Sequence, residues 1–284
     1  MVAADLAGKV AVVTGAGAGL GRAEALALAA AGADLVLGDL TENDVVAEVE
    51  ELGGKAVFVQ GDVSERDTAD ALTRAALDLG GLHILVNNAG VLRDRMLFSM
   101  TDEEWDLVIK VHLRGHFLLS RNAAAYWRSK SKSDGAPVYG RIVNTSSEAF
   151  LLGSEGQPNY AAAKAGITAL TLTSARSLSR YGVRANAICP RARTQMTAQV
   201  FGDAPEGPDP LAPEHVGKFV AYLAAPEADA INGQVFVVHG ENVLLMAPPT
   251  VEQRFTGFDD ITTAFANRDP ARTFACTETF RGES

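Results

Sequence analysis

At 284 residues, 47% hydrophobic and 21% charged, the chain has the size of one large α/β domain, and no Pro/Ser-rich linker divides it. A formal charge of −10 opposes non-specific binding to nucleic acid or to an anionic membrane surface, which leaves a small molecule as the expected partner. Cys189 and Cys276 are too few for a disulfide framework and are expected as free thiols in a reducing cytoplasm; residues 1–9 do not read as a secretion signal, and the Ala-rich run 25–33 is far short of the roughly 20 residues that span a bilayer.

In chain order, short β-branched runs at 9–14, 34–38, 56–60, 84–87, 141–145, 183–188 and 234–238 predict seven strands. Between them, 20–31, 41–52, 65–79, 102–128, 158–180 and 213–224 carry the apolar spacing of helices. This alternation predicts a single α/β domain over 1–246, with a seven-stranded parallel, doubly wound sheet flanked by helices. Residues 129–139 are polar and contain Gly135 and Pro137, so they read as a surface loop. The acidic, proline-rich stretch 201–213 reads as a lid over substrate, and 247–284 as a C-terminal extension packing on the domain or on a neighbouring subunit.

The first strand runs into Thr14-Gly15-Ala16-Gly17-Ala18-Gly19-Leu20-Gly21, followed at once by a helix. Glycines let backbone approach a pyrophosphate, and the N–H groups of the helix start can bind it. The spacing G-x-x-x-G-x-G fits at Gly15, Gly19 and Gly21, whereas G-x-G-x-x-G would place Leu20 in its last position. Gly15, Gly17, Ala18, Gly19, Leu20 and Gly21 are therefore candidate contacts to a dinucleotide in a Rossmann-like domain. Asp39 ends the second strand, where a carboxylate accepts from the adenosine ribose and repels a 2′-phosphate. With Leu40 beside it and no cation in the loop, the expected cofactor is NAD rather than NADP.

Tyr160 and Lys164 stand one turn apart on a helix that Pro158 helps to start, so both project from one face. An ammonium beside a phenol favours the phenolate, which predicts a lowered tyrosine pKa and a general acid/base. Ser147, just past the fifth strand, is placed to hold a substrate oxygen. A non-catalytic NAD-binding protein is a remote alternative, since packing alone gives Ser, Tyr and Lys no reason to share that spacing.

From about Leu6 to Gly240 the chain resembles the classical short-chain dehydrogenases/reductases. The resemblance is carried by the glycine loop, Asp62-Val63, Asn87-Asn88-Ala89-Gly90, the Ser147/Tyr160/Lys164 set, and Pro190 with Thr194. It implies an NAD(P)-dependent oxidoreductase acting on a secondary alcohol or ketone. It further implies that Asp62 and Val63 hold the adenine, that Asn87, Ala89 and Gly90 support the central strand and cofactor, that Pro190 and Thr194 lie at the nicotinamide, and that Lys164 holds the nicotinamide ribose. It implies a homotetramer or homodimer packed through helices 102–128 and 158–180, with small residues such as Ala161 and Ala165 allowing close approach.

Two departures stand out. Val111-His112-Leu113-Arg114-Gly115 puts His112 where the family carries an asparagine of the proton relay, and Pro190-Arg191 replaces the usual Pro-Gly. The first departure, with the run from Asn87 to Arg95, is similar to the (3R)-hydroxyacyl-CoA dehydrogenase portion of peroxisomal multifunctional enzymes of type 2. That implies a 3-hydroxyacyl-CoA as substrate, the alternatives being a hydroxysteroid or another carbonyl compound, and makes His112 an expected relay element. Arg191 and Arg193 are candidate contacts to CoA phosphates, or else partners of Asp203 and Glu206. His112 and His116 lie one turn apart, but no motif completes a metal site, and none is expected.

Overall fold

The computed structural model describes residues 4–266, 268 and 269, so Cys276 and the end of the expected extension lie outside the described residues. The strands are β1 (Val10–Thr14), β2 (Asp34–Asp39), β3 (Ala56–Gln60), β4 (Ile84–Asn87), β5 (Gly140–Thr145), β6 (Val183–Arg191), β7 (Val235–His239) and β8 (Asn242–Leu245), in the order β3-β2-β1-β4-β5-β6-β7-β8. The helices are α1 (Gly19–Ala30), α2 (Val45–Glu51), α3 (Arg66–Asp78), α4 (Asp102–Ile109), α5 (Gly115–Asp134), α6 (Ala149–Leu152), α7 (Pro158–Leu178), α8 (Ala198–Phe201), α9 (Pro213–Ala224) and α10 (Phe258–Ala266).

Both faces of the sheet are covered, which is why the strands read as apolar runs rather than as a clean alternation. Ala11 and Val13 of β1 point into the layer under α1 and α9, while Val10 and Val12 point into the layer under α3, α5 and α7. Strand order reverses between β1 and β4, so a crevice opens there at the carboxyl ends of the strands, where ligands of doubly wound sheets bind. No helix among the described residues is long and apolar enough to cross a membrane.

Several elements differ from the sequence expectation, the short helices α6, α8 and α10 among them. The sheet has eight strands, not seven, because β7 turns back through Gly240 and Glu241 into the antiparallel β8. Gly240, at φ +57°, lets this two-residue turn close without splaying the strands. Strand β6 runs on to Arg191, past the point where β5 stops pairing; there its one neighbour is β7, so the missing N–H of Pro190 breaks no central ladder.

The expected helix 102–128 is three pieces: α4, a π-helical turn Lys110–Arg114, and α5. Helix α5 also continues through most of the expected loop 129–139, held by a Lys130–Asp134 ion pair at i,i+4, and ends at Gly135. Helix α2 starts later than expected, because the Asn43 side chain accepts from the Val45 N–H and turns the chain first.

Candidate active site

The glycine loop connects β1 to α1 across the mouth of the crevice. The Asn88 amide bonds the carbonyls of Thr14 and Gly15, and the Thr14 hydroxyl accepts from the N–H groups of Asn88 and Ala89. Thr14 and Asn88 were not among the expected site residues; their signal is the strand-end position of Thr14 and the second Asn of the Asn-Asn-Ala-Gly run. A Cβ on Gly15 would lie 2.9 Å from Ala89 Cα, and one on Gly19 would lie 3.3 Å from Thr194 Cγ2, so the loops after β1, β4 and β6 meet over one space. Helix α1 opens at Ala18 with no side-chain cap and no acidic residue in its first turn. Its first N–H groups therefore point at that space unneutralised, as a pyrophosphate requires.

Asp39 lies where expected. Its two oxygens accept from the N–H groups of Gly17 (2.8 Å) and Leu40 (2.7 Å), which ties the glycine loop to β2 and aims the carboxylate along the loop, while the Leu40 side chain is exposed. Asp62 accepts from both the backbone and the hydroxyl of Ser64, and Val63 packs against Gly115, so this turn is braced on α5. Asn87 donates to Ser120 and Asn144, and Asn144 donates to Thr171, a buried polar chain that joins β4, β5, α5 and α7 beneath the site. These groups fit a nicotinamide dinucleotide lying along the strand ends.

The catalytic candidates converge next to them. Helix α7 carries Tyr160 and Lys164, Ser147 follows β5, and the Ser147 hydroxyl accepts from the Ala149 N–H. Lys164 is buried; its Nζ lies 5.3 Å from the Tyr160 ring centroid and donates to the Thr145 carbonyl at 2.6 Å. Ser146 accepts from Thr168 or donates to it, and donates to the Lys164 carbonyl, so it fixes the turn that carries the lysine.

The expected lowering of the tyrosine pKa is not what the protein's own groups produce. Burial pushes the phenol up to about 12, with the Ser147 side chain offsetting part of that rise. Burial also brings Lys164 down to about 7. The ammonium faces the Thr145 carbonyl instead of the phenol oxygen, so desolvation outweighs attraction between the pair.

His112 occupies the π turn, and its ring stands edge-on to Tyr160 with centroids 5.2 Å apart. The Nε2 atom lies 2.8 Å from the Val91 carbonyl and 3.0 Å from its N–H. Nε2 donates to the carbonyl in one tautomer and accepts from the N–H in the other, while Nδ1 is buried without a protein partner. Burial first and Lys164 second hold this imidazole well below the ordinary histidine range, so it is neutral. Gly90 makes room for it: a Cβ there would stand 3.0 Å from Nε2 and 3.1 Å from Nδ1. His116, one turn on, is pushed down to about 3 by burial and then Lys164. No His/Cys/Asp/Glu group fit for a metal occurs among the described residues.

Arg191 and Arg193 pair differently from either expectation. Arg191 forms a two-armed bridge to Glu148 at 2.7 Å on each arm, and Arg193 bonds Asp209 at 2.8 Å along with the carbonyls of Phe201 and Gly202. Neither Asp203 nor Glu206 is the partner. A CoA phosphate would have to displace these carboxylates, so the geometry does not support the two arginines as phosphate ligands. The Arg191–Glu148 bridge instead clamps the end of β6 to the residue after Ser147.

The loop-to-helix dinucleotide cradle, with serine, tyrosine and lysine at its open end, defines an oxidoreductase that works on CH–OH groups with a nicotinamide cofactor. The chain belongs to the short chain dehydrogenase family, whose model matches residues 9–204. Among its relatives, "Hydroxyacyl-CoA dehydrogenase ChsB1" of Mycobacterium tuberculosis is 59% identical over 98% of this chain and 95% of its own length. "Peroxisomal multifunctional enzyme type 2" of the mouse is 40% identical over 81% of this chain, which spans 31% of that protein. A crystal structure of a short chain dehydrogenase from Mycobacterium avium superposes with a TM-score of 0.81 at 44% identity, covering 92% of this chain and 94% of that one.

Proposed function

We propose that the protein is an NAD-dependent dehydrogenase of 3-hydroxyacyl-CoA esters. The observation that carries the reaction type is the convergence of Ser147, Tyr160 and Lys164 at one end of the glycine-loop cradle, with His112 edge-on to Tyr160. The acyl-CoA assignment is supported by the relative named for that substrate at 59% identity and by the histidine in the asparagine place.

When bound, the nicotinamide ring supplies the acceptor or donor of hydride. Ser147 holds the substrate oxygen, and Tyr160 takes the hydroxyl proton in oxidation or gives it back in reduction. Lys164 holds the nicotinamide ribose, and its charge favours the phenolate. His112, fixed through Val91, offers Nδ1 to the relay that refills Tyr160. Along the cradle, Gly15, Gly17, Gly19 and Gly21 with Ala18 and Leu20 would line the pyrophosphate, and Asp62 and Val63 the adenine. Ala89, Pro190 and Thr194 would line the nicotinamide half.

The test is initial-rate reduction of NAD and NADP with a panel of 3-hydroxyacyl-CoA esters and hydroxysteroids. Turnover confined to the steroids would replace the acyl-CoA reading by the hydroxysteroid one. Asp39→Ala is expected to narrow the NAD-over-NADP preference by about tenfold or more, the worth of one charge-assisted hydrogen bond. Wild-type enzyme that uses both dinucleotides equally well would remove Asp39 as the selector.

His112→Asn should retain more turnover than His112→Leu, because only asparagine returns polar atoms to the π turn. Equal kcat and pH profiles in the two variants would reduce His112 to packing. We also propose a homo-oligomer that buries the outer faces of α5 and α7, where Phe117 and Leu172 are exposed apolar side chains. Sedimentation as a monomer at micromolar concentration would exclude it.

A further inference from the structure

A second hollow lies at the opposite edge of the sheet from the cradle. Helix α5 ends at Gly135 and α7 runs into the turn Ser179–Tyr181, so the two helix ends flank the starts of β5 and β6. Between them is a cavity of about 510 Å³, lined by Arg128, Ser131 and Lys132 of α5, Pro137 of the connecting loop, and Arg180 and Tyr181. That volume is in the range of small-molecule sites. Strand β5 spans six residues, roughly 17 Å, and Ser147 lies beyond its far end, so these side chains are apart from the reacting set.

The walls are fixed by backbone. The Val138 N–H donates to the Tyr181 carbonyl at 2.8 Å, and a Cβ on Gly182 would strike the Val138 carbonyl oxygen, so the loop after α5 is seated on the turn after α7. Tyr181 packs with Trp127 and Leu178 in the core, which holds its ring from below. The lining carries three cations and no acid. Among the described residues Arg128, Lys132 and Arg180 form no ion pair, and Asp134, the acid that ends α5, is held by Lys130 at 3.0 Å. Arg180 stacks on Tyr181 instead, its Cζ 4.8 Å from the ring centroid. Burial would raise the Tyr181 phenol, but hydrogen bonds with Arg128 and Arg180, and their charge, hold it below the ordinary tyrosine range.

A helix C-terminus favours a cation, which accounts for Lys132 in the last turn of α5. It does not account for two arginines brought to the same hollow, where like charges repel. An anion relieves that repulsion, and the planar forks of arginine match the oxygens of a phosphate. Because the chain as a whole carries −10, such an anion is drawn by this local field and not by the net charge. We propose that the cavity between the ends of α5 and α7 binds a phosphate-bearing small molecule, separately from the active site, with Arg128 and Arg180 as phosphate ligands and Lys132 as the third cation.

A phosphate group can arrive as an inorganic anion or on a nucleotide, and the test separates the two. Isothermal titration calorimetry at low ionic strength, on enzyme holding NADH so that the cradle is filled, uses inorganic pyrophosphate and adenosine 3′,5′-bisphosphate as probes. At least one should bind with a dissociation constant of about 0.1 mM or tighter. Arg128→Ala/Arg180→Ala should weaken it about tenfold or more, and so should Lys132→Glu, which brings an acid into the hollow while leaving both arginines in place. Both variants should keep the wild-type kcat and melting temperature, since neither touches the reacting groups. Similar affinities for the two probes would assign the hollow to the phosphate group alone, and binding of the bisphosphate alone to a nucleotide. No binding of either probe up to about 5 mM would overturn the proposal. Equal affinity in wild type and both variants would do the same, because it would place the probe elsewhere on the protein.

Discussion

Tyr160→Phe is expected to lower kcat by about 10³-fold while leaving NADH affinity within a factor of about three, since general acid/base catalysis is worth 10²- to 10⁴-fold and the ring itself is kept. The pH dependence follows from the raised phenol. With the group pushed up to about 12 by burial, the protonated form dominates at neutral pH. Oxidation needs the phenolate and should therefore accelerate as pH rises from 6, the rise flattening near neutrality as Lys164, brought down to about 7 by burial, loses its proton. Reduction needs the phenol and should not accelerate over the same interval. Measuring initial rates in both directions, together with NADH fluorescence titration of the variant, checks this. A Tyr160→Phe enzyme with a tenth or more of wild-type kcat would show that another group moves the proton.

The second large effect is expected from a single methyl group. In Gly21→Ala the new Cβ would lie inside the van der Waals envelope of the Gly15 carbonyl oxygen and 2.7 Å from Asn88 Nδ2. Neither neighbour can yield easily: the Gly15 N–H is bonded to the Gly38 carbonyl at 2.8 Å, and Asn88 holds the strand-end carbonyls of Thr14 and Gly15. The start of α1 must then back away from the loop, which separates the N–H groups that a pyrophosphate needs. Overpacking of this kind costs about 1–3 kcal/mol, and NADH affinity should fall by at least about tenfold. Gly257→Ala, where an added Cβ meets nothing within 4 Å, is the control. Binding by Gly21→Ala equal to that of the control would mean that the helix start does not touch the cofactor.

Much of the architecture was legible because it is written in local chemistry. Alternating β-branched runs and helical periodicity dictate a doubly wound sheet, and a glycine loop between β1 and α1 can serve few purposes other than close approach. The one-turn spacing of Tyr160 and Lys164 places them on one face whatever the rest of the chain does. The eighth strand escaped notice because Asn242–Leu245 is four exposed residues whose pairing depends on the Gly240 turn. The π turn was equally invisible, since its i→i+5 winding answers to His112 fitting against Gly90 and Val91, a contact between parts of the chain far apart in sequence.

What the sequence determined by itself is the class of fold, the glycine loop between β1 and α1, and the placing of Tyr160 and Lys164 on one helix face, because each depends on residue type and short-range spacing. What only the tertiary structure decided is the electrical state of the site. Nothing near Tyr160 in sequence shows that burial raises its phenol, or that Lys164 faces the Thr145 carbonyl. Nor does sequence show that Arg191 is bridged to Glu148, or that Glu24 is buried with no hydrogen-bond partner for its carboxyl oxygens. Desolvation and long-range pairing depend on what the folded chain packs around a group, and those neighbours come from strands and helices that sequence order keeps apart.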